Sequence, residues 1–263
     1  MKIIVCVKQV PDPEHASMNI ETGTVVREGV ELMVNPFDLY AVEEALKIKE
    51  DLGGEVIAIS MGPPQAEEAL KEVIAMGADE GILLTSLDFA GADTWATSYT
   101  LAMACKEIGN FDLILCGKQA IDGDTAQVGP GIAAHLGIPQ ITFVRKIEEI
   151  TDKKISAQRL VEGGYELISS PLPLVMTVVK EINDPRLPTL KGKLRARKVE
   201  IQKWGPEDIN ANKEKIGLSG SPTRVVEIFT PKLTKEGKIF SDDEIEDAAL
   251  EIIKKQEEMG LIT

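Results

Sequence analysis

Two acids, Asp122 and Asp124, flank Gly123 in the segment FDLILCGKQAIDGDTAQVGPG at residues 111–131. A close carboxylate pair can serve glycoside hydrolysis or hold a hard cation. The surrounding residues offer neither a third ligand nor an apolar pocket, so both readings are set aside. Thr125 and Gln127 come next, followed by an apolar helical pattern over Val128–Leu136. A helix start presents unpaired N–H groups and a partial positive charge, which suits a phosphate. The expected phosphate partners are Thr125, Gln127 and the backbone amides from Gly123 onward. Carboxylates would repel a diphosphate, so Asp122 and Asp124 are expected to accept from ribose hydroxyls or to cap the helix. The segment therefore reads as a nucleotide-holding loop made of Gly117, Lys118, Gln119, Ala120, Ile121, Asp122, Gly123, Asp124, Thr125, Ala126, Gln127 and Val128. The alternative is a long turn with no ligand.

Other chemistries find little support. The only histidines are His15 and His135, too few for a His-rich metal site and a poor basis for a catalytic triad. The three cysteines, Cys6, Cys105 and Cys116, form no CxxC pair and read as buried thiols of a reducing cytosol. There is no GxGxxG after the first strand, and Gln119 after Gly117-Lys118 excludes a Walker A loop. No side chain stands out as acid, base or nucleophile, so catalytic and metal-ligating residues are expected to be absent.

The elements that must position the loop are a series of buried strands and helices. Strands are expected at 2–7, 55–60, 80–84, 113–116 and 141–147, with helices between them closed by Gly53, Gly77, Gly109 and Gly137. Asp93 or Thr94 caps the helix that runs to Ile108. A strand–helix unit recurring about every 30 residues implies right-handed crossovers and a mostly parallel sheet in a three-layer α/β/α fold. In such sheets ligands sit beyond the carboxyl ends of the strands. The residues after Val7, Ser60 and Cys116 converge there. A small hairpin is expected over 18–27, an antiparallel hairpin over 154–169, and one further strand at 174–179. Residues 1–182 are read as the nucleotide-binding domain, 183–200 as a partner-docking loop, and 201–263 as an extended arm too poor in apolar residues for a core of its own. That arm returns with the run 225–229 and finishes in a helix from 242 to 259, with Ser241 and Glu244 forming a capping box.

Further candidates lie outside the loop. Asn35, Pro36, Phe37 and Asp38 are either a plain helix start or a ligand contact. Thr94 and Thr97 sit in the first turn of a helix and could reach a phosphate. The run Lys191, Lys193, Arg195, Arg197 and Lys198, with Leu187, Leu190 and Leu194, reads as a docking loop with leucine anchors and a positive rim. A formal net charge of −14 argues against nucleic acid and anionic membrane as main partners. No secretory cleavage pattern and no apolar run of about 20 residues is visible, so a cytoplasmic location is expected.

Taken together, VKQVPD, NPFDLYAVEEALKIKE, VIAISMGPPQAEEALKEVIAMGAD, LILCGKQAIDGDTAQVGP and DPRLPTLKGKLRARK span most of residues 1–200. In this order they resemble the small (beta) subunits of the electron transfer flavoprotein family. The resemblance implies a heterodimer with a larger, FAD-carrying alpha subunit, and the fold of adenine nucleotide alpha hydrolases without their activity. It implies a nucleotide held by Cys6, Asn35, Pro36, Phe37, Asp38, Met61 and the residues from Gly117 to Val128. That nucleotide is AMP in respiratory members and a second FAD in electron-bifurcating ones. DGDTAQVGP is similar to the bifurcating form, its small residues leaving room for a second phosphate, so FAD is expected. In such members NADH delivers a hydride to this flavin. One electron then passes to the alpha-subunit FAD and an acyl-CoA dehydrogenase, the other to ferredoxin or flavodoxin. Leu190 matches the leucine that anchors the docking loop in the dehydrogenase, with Leu187, Arg195 and Lys198 around it. The competing readings are a respiratory-type carrier subunit with structural AMP and a nucleotide-sensing regulatory protein. In every redox reading the chemistry belongs to the flavin, and the protein supplies position and electrostatics.

Overall fold

A computed structural model describes residues 1–12, 31–226 and 237–262. The hairpin expected at 18–27 lies outside the described residues, as does most of the run 225–229. The body is a nine-stranded sheet in the order β11-β5-β4-β1-β6-β10-β7-β8-β9. Its strands are β1 (Lys2–Cys6), β4 (Glu55–Met61), β5 (Glu80–Leu84), β6 (Leu113–Gly117), β7 (Gln140–Ile150), β8 (Lys154–Val161), β9 (Gly164–Pro171), β10 (Leu174–Val178) and β11 (Gln202–Trp204). All neighbours run parallel except β7–β8 and β8–β9. A separate antiparallel pair, β2 (Gln9–Pro11) and β3 (Leu32–Val34), stands beside it. The helices are α1 (Pro36–Leu52), α2 (Glu67–Met76), α3 (Thr94–Ile108), α4 (Val128–Leu136) and α5 (Leu190–Ala196).

The continuous apolar runs of β1 and β6 are buried because helices cover both faces of the sheet. Side chains alternate across a strand. Ile3 and Val5 therefore join Ala41, Val42, Leu70 and Val73 of α1 and α2, while Ile4 and Cys6 join Leu101, Ala102, Ile132 and Ala133 of α3 and α4. The four glycines expected to end helices do so, each with positive φ. Asp93 is the N-cap of α3, accepting from the amides of Trp95 at 3.0 Å and Ala96 at 3.1 Å.

The chain builds outward from β1 through β4 to β5, then returns to place β6 on the other side of β1. That reversal is the switch point, and it opens a crevice beyond Cys6 and Cys116, which are register partners. Three features differ from expectation. The late run 174–178 is a central strand, inserted between β6 and β7 and buried throughout. Residues 201–216 do not leave the body. Ile201, Ile209 and Ile216 are buried in it, and β11 pairs with β5 as an edge strand. The chain divides into two compact units, 1–227 and 228–263. The basic segment after Asn183 is also not plain loop, because it contains α5.

The second unit contains α6 (Ile245–Glu258), preceded by a single 3-10 turn. The Ser241–Glu244 capping box is present, with the Ser241 amide donating to Glu244 Oε2 at 3.0 Å. Ile245, Leu250, Ile252 and Ile253 are exposed on α6. Among the described residues, no helix is long and apolar enough to cross a membrane.

Helix α4 reaches the crevice only because two glycines let it lie close to its neighbours. A Cβ on Gly129 would stand 2.5 Å from Thr177 Cγ2, and one on Gly131 would stand 2.4 Å from Ser98 Oγ and 2.6 Å from Ser98 Cβ. Ser98 is buried and cannot swing clear. Gly131→Ala should therefore destabilise the protein by about 1–3 kcal/mol, measured as a lower urea midpoint with the slope unchanged.

Candidate functional site

The crevice floor is set by Asn35 to Asp38 meeting the end of β6. Asn35 precedes α1, Pro36 opens it, and the Asp38 amide bonds to the Asn35 carbonyl at 2.9 Å. A Cβ on Gly117 would lie 2.4 Å from Asp38 Oδ1 and 2.6 Å from the Phe37 carbonyl carbon, so only glycine fits. Asp38 Oδ2 accepts from the Lys8 amide at 2.8 Å. The Gly117 amide and the Asn35 side chain lie beside the carboxylate and favour its charged form. Asn35, buried, reaches the loop as well. Its Nδ2 donates to the Gln119 carbonyl at 2.9 Å, and its Oδ1 accepts from the Ile121 amide at 3.1 Å. One turn thus ties together the ends of β1 and β6 and the start of the loop.

Beyond that anchor, the exposed loop keeps a strained shape. Asp124 (φ 53°) and Ala126 (φ 55°) are both left-handed, which L-residues adopt at a cost. Neither acid caps α4. Gln127 holds the N-cap position and makes no side-chain cap bond. Asp122 instead pairs with Lys8 Nζ at 2.6 Å, and Asp124 accepts from the Gln119 side chain. Both negative charges are therefore directed at partners, and Asp122 is balanced by an ammonium. The amides of Thr125, Ala126, Gln127 and Val128 donate no hydrogen bond among the described residues. They stand at the positive end of α4, where an anion would be stabilised. Thr94 Oγ1 donates to Gln127 Oε1 at 3.0 Å, so the start of α3 braces this edge of the loop.

The other candidates are placed as follows. The Lys118 amide bonds to the Val178 carbonyl at 2.9 Å, and its Nζ lies 5.8 Å from the Phe37 ring and 5.9 Å from the Phe143 ring. Ala120 closes a turn, its carbonyl accepting from the Asp124 amide at 2.8 Å. Met61 ends β4 and packs against the same core as Cys6 and Cys116. Thr97 is half-buried in the first turn of α3, its amide bonded to the Asp93 carbonyl. The Cys6 and Cys116 thiols interact, which lowers the Cys6 thiol and raises that of Cys116. Burial then leaves both above the ordinary range, so both remain protonated and unreactive. Among the described residues, no cluster of three or more His, Cys, Asp or Glu could hold a metal.

On the docking segment, Leu187 and Leu190 are 85% and 77% exposed, and Lys198 is exposed too. Arg195 differs, because it turns back onto the body and donates to the carbonyls of Ile74 at 2.6 Å and of Ala78. Sequence reasoning misses Lys8. The available signal is its position directly beyond a buried strand, within VKQVPD.

Burial pushes the Asp38 carboxyl up from 3.8 to about 7, although the Asn35 side chain and the Lys8 and Gly117 amides oppose the rise. Between these values the folded protein retains a proton that the unfolded chain has released. The associated stability is full below pH 3.8 and is lost as pH rises through about 7. The unfolding free energy from urea titrations should fall by roughly 1–4 kcal/mol between about pH 4 and about pH 7, and Asp38→Asn should flatten that fall.

Residues 22–209 match the family model of the electron transfer flavoprotein domain. The electron transfer flavoprotein subunit beta of Thermoanaerobacterium thermosaccharolyticum is 47% identical to the chain and covers 97% of it, with 97% of that protein matched. The caffeyl-CoA reductase-Etf complex subunit CarD of Acetobacterium woodii is 47% identical over the full length of both chains. Protein FixA of Sinorhizobium fredii is 44% identical over 96% of this chain and 90% of its own. By the domain it matches and by full-length identity at this level, the chain belongs to the electron transfer flavoprotein family as a beta subunit.

Proposed function

We propose that this chain binds FAD in the crevice beyond Cys6 and Cys116 and works with a larger alpha subunit as an electron-bifurcating carrier. The observation that carries this reading is the row of uncommitted amides from Thr125 to Val128 at the positive end of α4. The residues fit a dinucleotide. Lys8 and Gln119 occupy the two carboxylates that would repel phosphate, and a Cβ on Gly123 would meet nothing within 4 Å. The loop is therefore open on the side of Gly123. Thr94, through Gln127, and Asn35, through Gln119 and Ile121, hold the loop in shape. Such bracing limits the ordering cost of binding.

A flavin held by these residues would supply the redox chemistry, able to accept a hydride from NADH and to release electrons singly. This chain's own residues bind and orient it. The two buried thiols stay protonated and take no part. One electron route leads to the alpha-subunit FAD and an acyl-CoA dehydrogenase, the other to ferredoxin or flavodoxin. The name of the CarD relative, a subunit of a caffeyl-CoA reductase-Etf complex, supports a CoA-ester oxidoreductase as the terminal partner. The exposed leucines Leu187, Leu190 and Leu194 suit the docking of that partner, with Lys198 on the rim. The unpaired apolar residues of α6 suit the alpha subunit, which makes the C-terminal unit the assembly arm. The location consistent with these partners is the cytoplasm.

Denaturing the heterodimer after co-purification should release two FAD per complex. Release of AMP with a single FAD would overturn the second-flavin assignment, and release of reversibly bound ATP from the lone chain would favour a sensor. Leu190→Ala should raise the KM for the acyl-CoA dehydrogenase about 10-fold or more while leaving bound flavin unchanged. Flavin loss in that variant would count against a docking role.

A further inference from the structure

The docking segment is tied to the body at three places. Arg186 meets α1, where its amide and Nε donate to Glu43 Oε2 at 3.0 and 2.8 Å and its Nη2 donates to Glu43 Oε1 at 3.0 Å. The same guanidinium pairs with Glu50, through Nη2 to Oε2 at 3.0 Å and through Nη1 to Oε1. Glu43 and Glu50 are seven residues apart, two helical turns, and so share a face of α1. Glu43 is buried, so a forked cation is needed to satisfy both of its oxygens. Just upstream, Asn183 Nδ2 donates to the Tyr40 carbonyl at 3.0 Å and to Glu44 Oε2 at 2.9 Å.

The second tie is Gly192 on α2. A Cβ there would stand 1.9 Å from the Ala75 carbonyl oxygen, so the two helices meet backbone to backbone. The third is Arg195, which donates to the Ile74 carbonyl in the last turn of α2 and to the Ala78 carbonyl just beyond the helix. A seven-residue helix is too short to persist by itself. These ties hold α5 in place while Leu187, Leu190 and Leu194 remain exposed.

We propose that Arg186 is the positioning residue for partner docking, clamping the segment to α1 so that its leucines are presented in fixed geometry before any partner arrives. The proposal deepens the docking role assigned above and rests on it. Helix α1 then joins two tasks in one rigid element. Its first turn shapes the floor of the crevice, and its later turns hold the docking segment. A partner meeting a preformed surface loses less freedom on binding than one that must order a loop.

The test uses the full chain co-purified with its large subunit and follows amide hydrogen exchange. In Arg186→Ala, exchange across residues 189–199 should speed up 10-fold or more, while β4 keeps its protection. Arg186→Lys, which lacks the fork, should fall between the variant and the parent. Because Arg186→Ala strands a buried Glu43, the double variant Arg186→Met with Glu43→Gln provides a second case that does not depend on a stranded charge. Unchanged exchange at 189–199 in both would overturn the proposal. In transfer to an acyl-CoA dehydrogenase, KM should rise about 10-fold with kcat unchanged, and Leu190→Ala should add little to an Arg186 variant. A normal KM in the loosened variant, alongside a raised KM in Leu190→Ala alone, would overturn the positioning role. Loosening with a normal KM in both variants would remove the docking reading and leave the clamp standing.

Discussion

Gly117 comes so close to the Phe37-Asp38 backbone that no side chain fits between them, and much of the molecule depends on that contact. It brings the start of α1 onto the end of the central strand β6. It also places the Asp38 carboxyl where the Lys8 amide, just beyond β1, donates to it. A buried carboxyl needs such donors, because desolvation would otherwise make its charge untenable. Asn35 then extends the same anchor into the loop, bonding on both sides of Ala120. The loop can keep two left-handed L-residues because its first half is held this firmly.

Charge placement follows the same logic. A chain with many more acids than bases must keep carboxylates from facing a phosphate if it is to hold one. It does so by giving each acid near the loop its own donor: Lys8 for Asp122, Gln119 for Asp124 and a backbone amide for Asp38. What remains directed outward is the unpaired end of α4, brought close by Gly129 and Gly131. On the opposite side of the sheet the acids of α1 are used differently. Glu43, Glu44 and Glu50 receive Asn183 and Arg186 and secure the segment that follows.

The βα alternation, the helix-ending glycines and the position of the loop at a strand end are legible in the sequence, because each depends on local periodicity or on a residue's own backbone preference. Other features are not. The LVMTV run of β10 has the same pattern whether a strand lies at the centre of a sheet or at its edge, and its place between β6 and β7 is a matter of strand order. The QKW of β11 is too short and polar to signal a strand until Ile201 is seen to bury beside it. Arg195, in a run of cations flanked by leucines, looks like part of a binding rim. Its carbonyl partners lie more than a hundred positions away along the chain.

Local physics encoded in the sequence determined which segments are strands, where the helices stop, and that a turn of small residues opens onto a helix start. The alternation of apolar and polar residues, together with glycine and proline geometry, is sufficient for that. The tertiary structure alone decided which side chain answers which charge: Lys8 for Asp122, Asn35 for the loop backbone, Arg186 for Glu43. Each pairing joins residues far apart in the chain, and its geometry exists only once the sheet order has brought their elements together.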